Sequence, residues 1–178
     1  MNNGNVYLIG YRCTGKTSVG RGMAESTGLF FVDTDELFVE RSGLDVSEYV
    51  LLHGWNSFRR LESEILRDLA RKTGRVVATG GGVVLESDNV RLMKETGRVI
   101  WLRTSWETIY RRMTSDPVSV AMRPGLTGLP LAEEIKETLA SREPLYRAAM
   151  DESLETDDLS VDEVCARVRA LTDSEGEK

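Results

Sequence analysis

Residues 10 to 17 read Gly-Tyr-Arg-Cys-Thr-Gly-Lys-Thr, the spacing G-x-x-x-x-G-K-[ST]. This stretch constrains the fold more than any other, because it works only between the end of a buried strand and the start of a helix. Both flanks fit. Asn5-Val6-Tyr7-Leu8-Ile9 is a short apolar run suited to a buried strand. Thr17 to Thr27 carries Val19, Met23 and Ala24 on one helical face and is stopped by Gly28. In such a loop the backbone N–H groups turn inward around phosphate oxygens, and the helix N-terminus adds a favourable dipole. Lys16 is placed to reach the β- and γ-phosphates, and the Thr17 hydroxyl to ligate Mg²⁺. The chain is therefore expected to bind a nucleoside triphosphate. Cys13 needs to supply only its N–H there; a redox-sensitive thiol is the alternative.

The remaining elements follow from hydrophobic period and breaker residues. Leu29 to Val32 reads as a second buried strand, Arg75 to Thr79 as a third, Arg98 to Leu102 as a fourth and Ser153 to Thr156 as a last one. Helices are expected over Asp35 to Ser42, Asp45 to His53, Trp55 to Lys72, Ser87 to Glu95, Ser105 to Met113, Leu131 to about Tyr146 with a bend at Pro144, and Val161 to Leu171. His53 is read as a helix-end residue and Cys165 as core. Pro117, Pro124, Pro130, Gly125 and Gly128 crowd residues 117–130, which marks a loop long enough to be a lid, about 114–130. Residues 173–178 read as a frayed tail. Short apolar strands alternating with helices imply a parallel sheet covered on both faces. In such sheets ligands sit beyond the carboxyl ends of the strands. Gly10, Asp33 and Gly80 each follow a strand end, so three distant segments should meet at one crevice.

Composition narrows the partners. The 178 residues suit one domain. Their net charge of −6 argues against nonspecific nucleic-acid binding and against docking on an anionic membrane. No run of about 18 apolar residues is present, and the first ten residues lack the pattern of a secretion signal. Two cysteines and one histidine neither build a disulfide framework nor suggest a zinc site, and the cytosol is the expected compartment.

What the nucleotide is used for must be read from the other side of the crevice. Asp33-Thr34-Asp35 puts two carboxylates beside the phosphate loop, one to hold the cation or its waters, the other to accept a hydroxyl proton. The plainer reading is a helix N-cap. On the helix from Trp55, the residues Phe58, Leu61, Ile65 and Leu69 form an inward stripe, with Arg60, Arg67 and Arg71 on the opposite, solvated face. Glu62 falls within the stripe and Arg59 at its edge, three residues apart, so they can pair. That pair either presents an arginine to an anion or is an ordinary structural ion pair. On the helix from Leu131, Ile135, Leu139 and Arg142 share a face, so a second arginine points inward. Two such guanidinium groups suit a small carboxylated substrate. Gly80-Gly81-Gly82 lets a ligand approach bare backbone, and Arg123 in the lid can fold over the phosphates.

Taken together, GYRCTGKT at 10–17, DTD at 33–35, FRRLE at 58–62, TGGG at 79–82, RP at 123–124 and REPLY at 142–146 resemble the shikimate kinase family over nearly the whole chain. The resemblance implies an α/β P-loop kinase-like three-layer sandwich: a five-stranded parallel sheet, helices on both faces and a lid loop. It also implies transfer of the ATP γ-phosphate to the 3-hydroxyl of shikimate with Mg²⁺, in aromatic amino-acid synthesis, by a monomer. By position, ATP would meet Cys13, Thr14, Gly15, Lys16, Thr17, Ser18 and Arg123, with Arg112 an adenine neighbour. Shikimate would meet Asp35, Arg59, Gly81, Gly82 and Arg142. Thr17, and Asp33 through water, would serve the metal; Lys16, Asp35 and Arg123 would be catalytic. Two features depart from the family pattern: Met113 to Met122 is extended, and the lid continues Arg-Pro-Gly-Leu where a second leucine is commoner. A competing small-molecule kinase, such as one resembling gluconate kinase, has no reason to keep both inward arginines with the aspartate pair.

Overall fold

A computed structural model describes residues 4–115 and 126–173. Strand β1 (Asn5–Ile9) is buried along its whole length and lies at the centre of one sheet. Helix α1 (Lys16–Thr27) follows the phosphate loop, then β2 (Phe30–Asp33), α2 (Thr34–Ser42) and α3 (Val46–Ala70). Next come β3 (Arg75–Ala78), a short 3₁₀ turn at Val83–Leu85, α4 (Ser87–Thr96), β4 (Gly97–Arg103) and α5 (Trp106–Ser115). The chain then continues through α6 (Leu131–Ala149), β5 (Glu152–Glu155) and α7 (Val161–Asp173).

The five strands are parallel and ordered β2-β3-β1-β4-β5. Successive side chains of a strand face opposite sides, and here both sides are apolar. Val6 and Leu8 of β1 join Ile100 and Leu102 of β4 against Val19 and Met23 of α1 and Val164, Cys165 and Val168 of α7. Tyr7 and Ile9 join Val77, Val99 and Trp101 against Phe58, Ile65, Leu66 and Leu69 of α3, Met93 of α4 and Tyr146 and Ala149 of α6. Burial on both faces is why β1 reads as a continuous apolar run instead of an alternating one. A fully buried Leu or Ile contributes about 1.5–3 kcal/mol of transfer free energy, and Leu8, Ile9, Ile65, Leu66, Ile100 and Leu102 all qualify. The core therefore fixes where the strand ends emerge. Among the described residues no helix is long and apolar enough to cross a membrane.

The structure corrects several expectations. The second strand is an edge strand and not a buried one: Phe30 is 71% exposed, because only β3 pairs with β2. Helix α5 runs through Thr114 and Ser115, where a lid was expected to begin; their hydroxyls donate to carbonyls of Tyr110 and Arg111 and extend the last turn. Helix α6 passes through Pro144 and ends at Ala149 instead of near Tyr146, held by the buried Tyr146 and Ala149. The division expected between the helices ending at His53 and starting at Trp55 is present: α3 breaks at Gly54, whose φ of 76° and ψ of 165° are non-helical. That left-handed backbone favours glycine, and His53 beside it is an exposed helix-end residue whose ring packs at a tilt on Tyr49. Arg123 and most of the expected lid lie outside the described residues, as does the tail beyond Asp173.

Candidate active site

The carboxyl ends of β1, β2 and β3 open into one cavity of about 560 Å³. It is lined by Cys13, Thr14, Gly15, Lys16, Thr17, Ser18, Asp33, Asp35, Arg59, Gly81, Gly82 and Arg142. Every sequence-expected site residue that lies within the described residues is thus brought to one place. Strand order reverses around β1, so the loop after β1 sits at the switch point where such sheets hold ligands.

The phosphate loop is shaped from within. Cys13 has φ 62° and Gly15 φ 96°, left-handed conformations that make successive N–H groups converge. Cys13 is the one non-glycine residue with positive φ among those described, and Arg112 donates to its carbonyl at 3.0 Å, holding that peptide in place. Lys16 is only 8% exposed. Its Nζ donates to Gly10 O at 2.9 Å and Tyr11 O at 2.7 Å, so the ammonium gathers the loop carbonyls behind it.

Asp33 ends β2 in extended backbone and caps α2, its Oδ1 accepting from the Asp35 N–H at 2.9 Å. Its Oδ2 accepts from the Thr17 hydroxyl at 2.7 Å. The N-cap reading therefore holds for Asp33, without removing it from the loop. Asp35 sits in the first turn of α2 and not in extended chain, so the two carboxylates separate: Asp33 toward Thr17, Asp35 toward β3 and α3. An added Cβ on Gly80 would lie 2.5 Å from Glu62 Oε1 and 3.3 Å from Asp35 Oδ1, which shows how near those carboxyls are.

Glu62 is buried, and its Oε2 accepts from Arg59 Nη1 at 2.6 Å. Its Oε1 has no hydrogen-bond partner among the described residues. Arg59 lies over the Phe58 and Trp55 rings, 4.9 and 5.5 Å from their centroids, so its guanidinium has little freedom. An added Cβ on Gly82 would overlap that guanidinium, so a side chain there would displace Arg59. Loss of hydration on burial pushes the Glu62 carboxyl above its ordinary 4.5; Arg59 opposes this, and the charge of Asp35 adds to it. A raised folded-state pKa means that protonation favours the fold: this contribution is complete below the ordinary value and is lost as pH rises through the folded one. Glu62→Gln removes that dependence. Its melting temperature relative to the parent should increase as pH rises from about 4.5 and level off once the parent carboxyl is fully ionised; a relative melting temperature that rises as pH falls would contradict the assignment.

Arg142 of α6 donates through Nη1 to Gly81 O at 3.2 Å, and the Tyr146 hydroxyl donates to the same oxygen at 2.5 Å. A further pair went unread in the sequence. Arg12 of the phosphate loop is ion-paired with Glu134 of α6, which is 3% exposed. The other Glu134 oxygen accepts from the N–H groups of Leu126 and Thr127, at 2.7 and 3.2 Å. The available signal was the i, i+4 spacing of Glu134, Thr138 and Arg142, which puts Glu134 and Thr138 on the same side of α6 as the arginine already expected to point inward. Five cationic side chains and three anionic ones line the cavity among the described residues, in a chain of net charge −6, so positive charge is concentrated where anions would enter.

Comparison with known proteins gives one consistent pattern. The family model for shikimate kinase matches residues 12–172. The chain is 42% identical over 166 residues to shikimate kinase 2 of Syntrophotalea carbinolica, covering 93% of this chain and 94% of that one. It is 46% identical over 143 residues to shikimate kinase 2 of Yersinia pestis, covering 80% of each. Among solved structures, a shikimate kinase from Acinetobacter baumannii in complex with shikimate superposes with a TM-score of 0.92 at 29% identity, covering 99% of this chain and 97% of that one. A shikimate kinase from Aquifex aeolicus superposes with a TM-score of 0.78 at 27% identity, covering 96% of each.

Proposed function

The chain belongs to the shikimate kinase family, and from that premise and the crevice we infer that it phosphorylates shikimate with ATP, at the 3-hydroxyl, in aromatic biosynthesis. One observation carries the reading at residue level: Arg59 and Arg142 enter the same cavity as Asp35, opposite the phosphate loop. Two guanidinium groups suit one carboxylate, and a separate carboxylate suits a hydroxyl. One small molecule carrying both groups would satisfy the two.

In this reading the loop N–H groups and Lys16 hold the β- and γ-phosphates, Cys13 to Ser18 forming the cradle. Arg59 and Arg142 fix the substrate carboxylate, with the Gly81 and Gly82 backbone beside it. Asp35 accepts the proton of the attacking hydroxyl as its oxygen bonds to the γ-phosphorus and the bond to the ADP oxygen breaks. Lys16 neutralises charge that develops on the transferred group, and Arg123 joins it from the lid. The Thr17 hydroxyl and the Asp33 carboxylate are hard oxygen groups 2.7 Å apart and fit Mg²⁺, which favours such groups and keeps several waters. When bound, the ion would neutralise phosphate charge. In this reading the chain acts as a monomer, as a single kinase domain and in the cytosol.

ADP release followed with and without shikimate tests the reading; release that does not respond to shikimate in a folded, ATP-binding sample would refute it. The residue roles make a separate prediction. Arg142→Ala should raise the shikimate KM by about 10–100-fold, the worth of a charge-assisted hydrogen bond or two, with the ATP KM little changed. Initial rates with shikimate varied at saturating ATP measure it, and an unaltered KM would remove Arg142 from the carboxylate site.

A further inference from the structure

Tyr146 ends the REPLY stretch, and nothing in the phosphoryl transfer described so far uses it. Its side chain is fully buried and its ring stacks on Trp101 with centroids 5.5 Å apart. A tyrosine needed only for packing could be phenylalanine. Instead its hydroxyl donates to Gly81 O at 2.5 Å, the carbonyl that Arg142 Nη1 also reaches at 3.2 Å. Burial pushes the phenol up to about 12, with Arg142 opposing, so the hydroxyl remains a donor throughout the working pH range.

We propose that Tyr146 is a positioning residue for the substrate carboxylate, acting through the Gly81–Gly82 peptide and through Arg142. A carbonyl oxygen has two lone pairs. Tyr146 occupies one direction, which confines the Arg142 guanidinium to the other and sets its plane. The Gly81 carbonyl and the Gly82 N–H belong to one planar trans peptide, so pinning the oxygen also aims the N–H. No hydrogen bond from Gly82 N–H to protein is present among the described residues, and that backbone runs against the Arg59 guanidinium. The Cα of Gly81 in turn rests on the phosphate loop: an added Cβ would lie 3.3 Å from both Gly10 O and Arg12 N. One hydroxyl thus sets two donors on the acceptor side, the Arg142 guanidinium and the Gly82 N–H, while touching no substrate itself.

The proposal rests on the shikimate reading, so the experiment separates the two. Shikimate binding is titrated calorimetrically to the parent chain and to Tyr146→Phe, and steady-state kinetics are measured on both. The variant keeps the ring and its stack on Trp101. Expected is a rise of about tenfold in shikimate Kd and KM, the loss of one well-made hydrogen bond, with ATP KM and kcat within about twofold. Combined with Arg142→Lys, the loss should be less than the product of the two single effects, since both act on one carbonyl. A folded Tyr146→Phe with parental shikimate Kd, or a loss shared equally by ATP and shikimate, overturns the proposal. Should the variant be too unstable to assay, the Gly82 amide resonance of the parent chain must shift on shikimate addition; an unmoved resonance also overturns it. A parent chain that binds no shikimate fails the underlying reading instead.

Discussion

Lys16→Ala is expected to lower kcat by about 10²–10³-fold or more, the loss that follows removal of a preorganised donor from developing charge. The structure adds a second consequence. Lys16 Nζ is bonded to the carbonyls of Gly10 and Tyr11, so the residue shapes the loop as well as serving the phosphates. Removing it leaves those carbonyls short of a donor in a buried setting, at a cost of about 1–3 kcal/mol. Melting temperature should therefore fall along with turnover, and ATP binding should weaken. A variant with parental stability and only a slower rate would mean that the lysine serves the nucleotide alone.

Asp35→Asn should lower kcat by about 10²–10⁴-fold, the range for a positioned general base. Asparagine keeps the size and the acceptor oxygen but cannot take the hydroxyl proton. Because Asp35 lies in the first turn of α2, loss of its charge costs only about 0.3–1 kcal/mol of helix-dipole stabilisation. Rate and stability should thus part company in this variant, whereas in Lys16→Ala they fall together. Asp33→Asn is the informative contrast: that side chain caps α2 and accepts from Thr17, so its loss should be felt in nucleotide and cation binding. If Asp35→Asn kept near-parental kcat, the base would have to be another group, and the buried Glu62 carboxyl, which also lies beside Gly80, is the one to consider.

What could be read from the sequence was what is encoded locally. The phosphate loop, its strand and its helix occupy one continuous stretch, and the break at Gly54 was visible as a glycine between two helical patterns. The inward placement of Glu62 and its pairing with Arg59 followed from helical spacing alone. What escaped depends on pairing between distant segments. The edge position of β2 is fixed by which strand lies beside β3, and no pattern within Leu29 to Val32 records that. The Arg12–Glu134 pair joins residues 122 apart in sequence, and Glu134 reads like any surface acid of a first helical turn until α6 is laid against the phosphate loop. Tyr146 was visible as part of a motif, but its partner is a main-chain carbonyl, which no side-chain pattern encodes. The end of α6 was placed near Tyr146, whereas buried Tyr146 and Ala149 carry the helix to Ala149.

Identification of the product by ³¹P NMR tests the central claim most directly. With MgATP and shikimate, the account predicts a new phosphomonoester signal coupled to the ring proton at carbon 3, growing in step with ADP and absent in Lys16→Ala. ADP that accumulates with free phosphate and no new ester, or an ester at another hydroxyl, would contradict it.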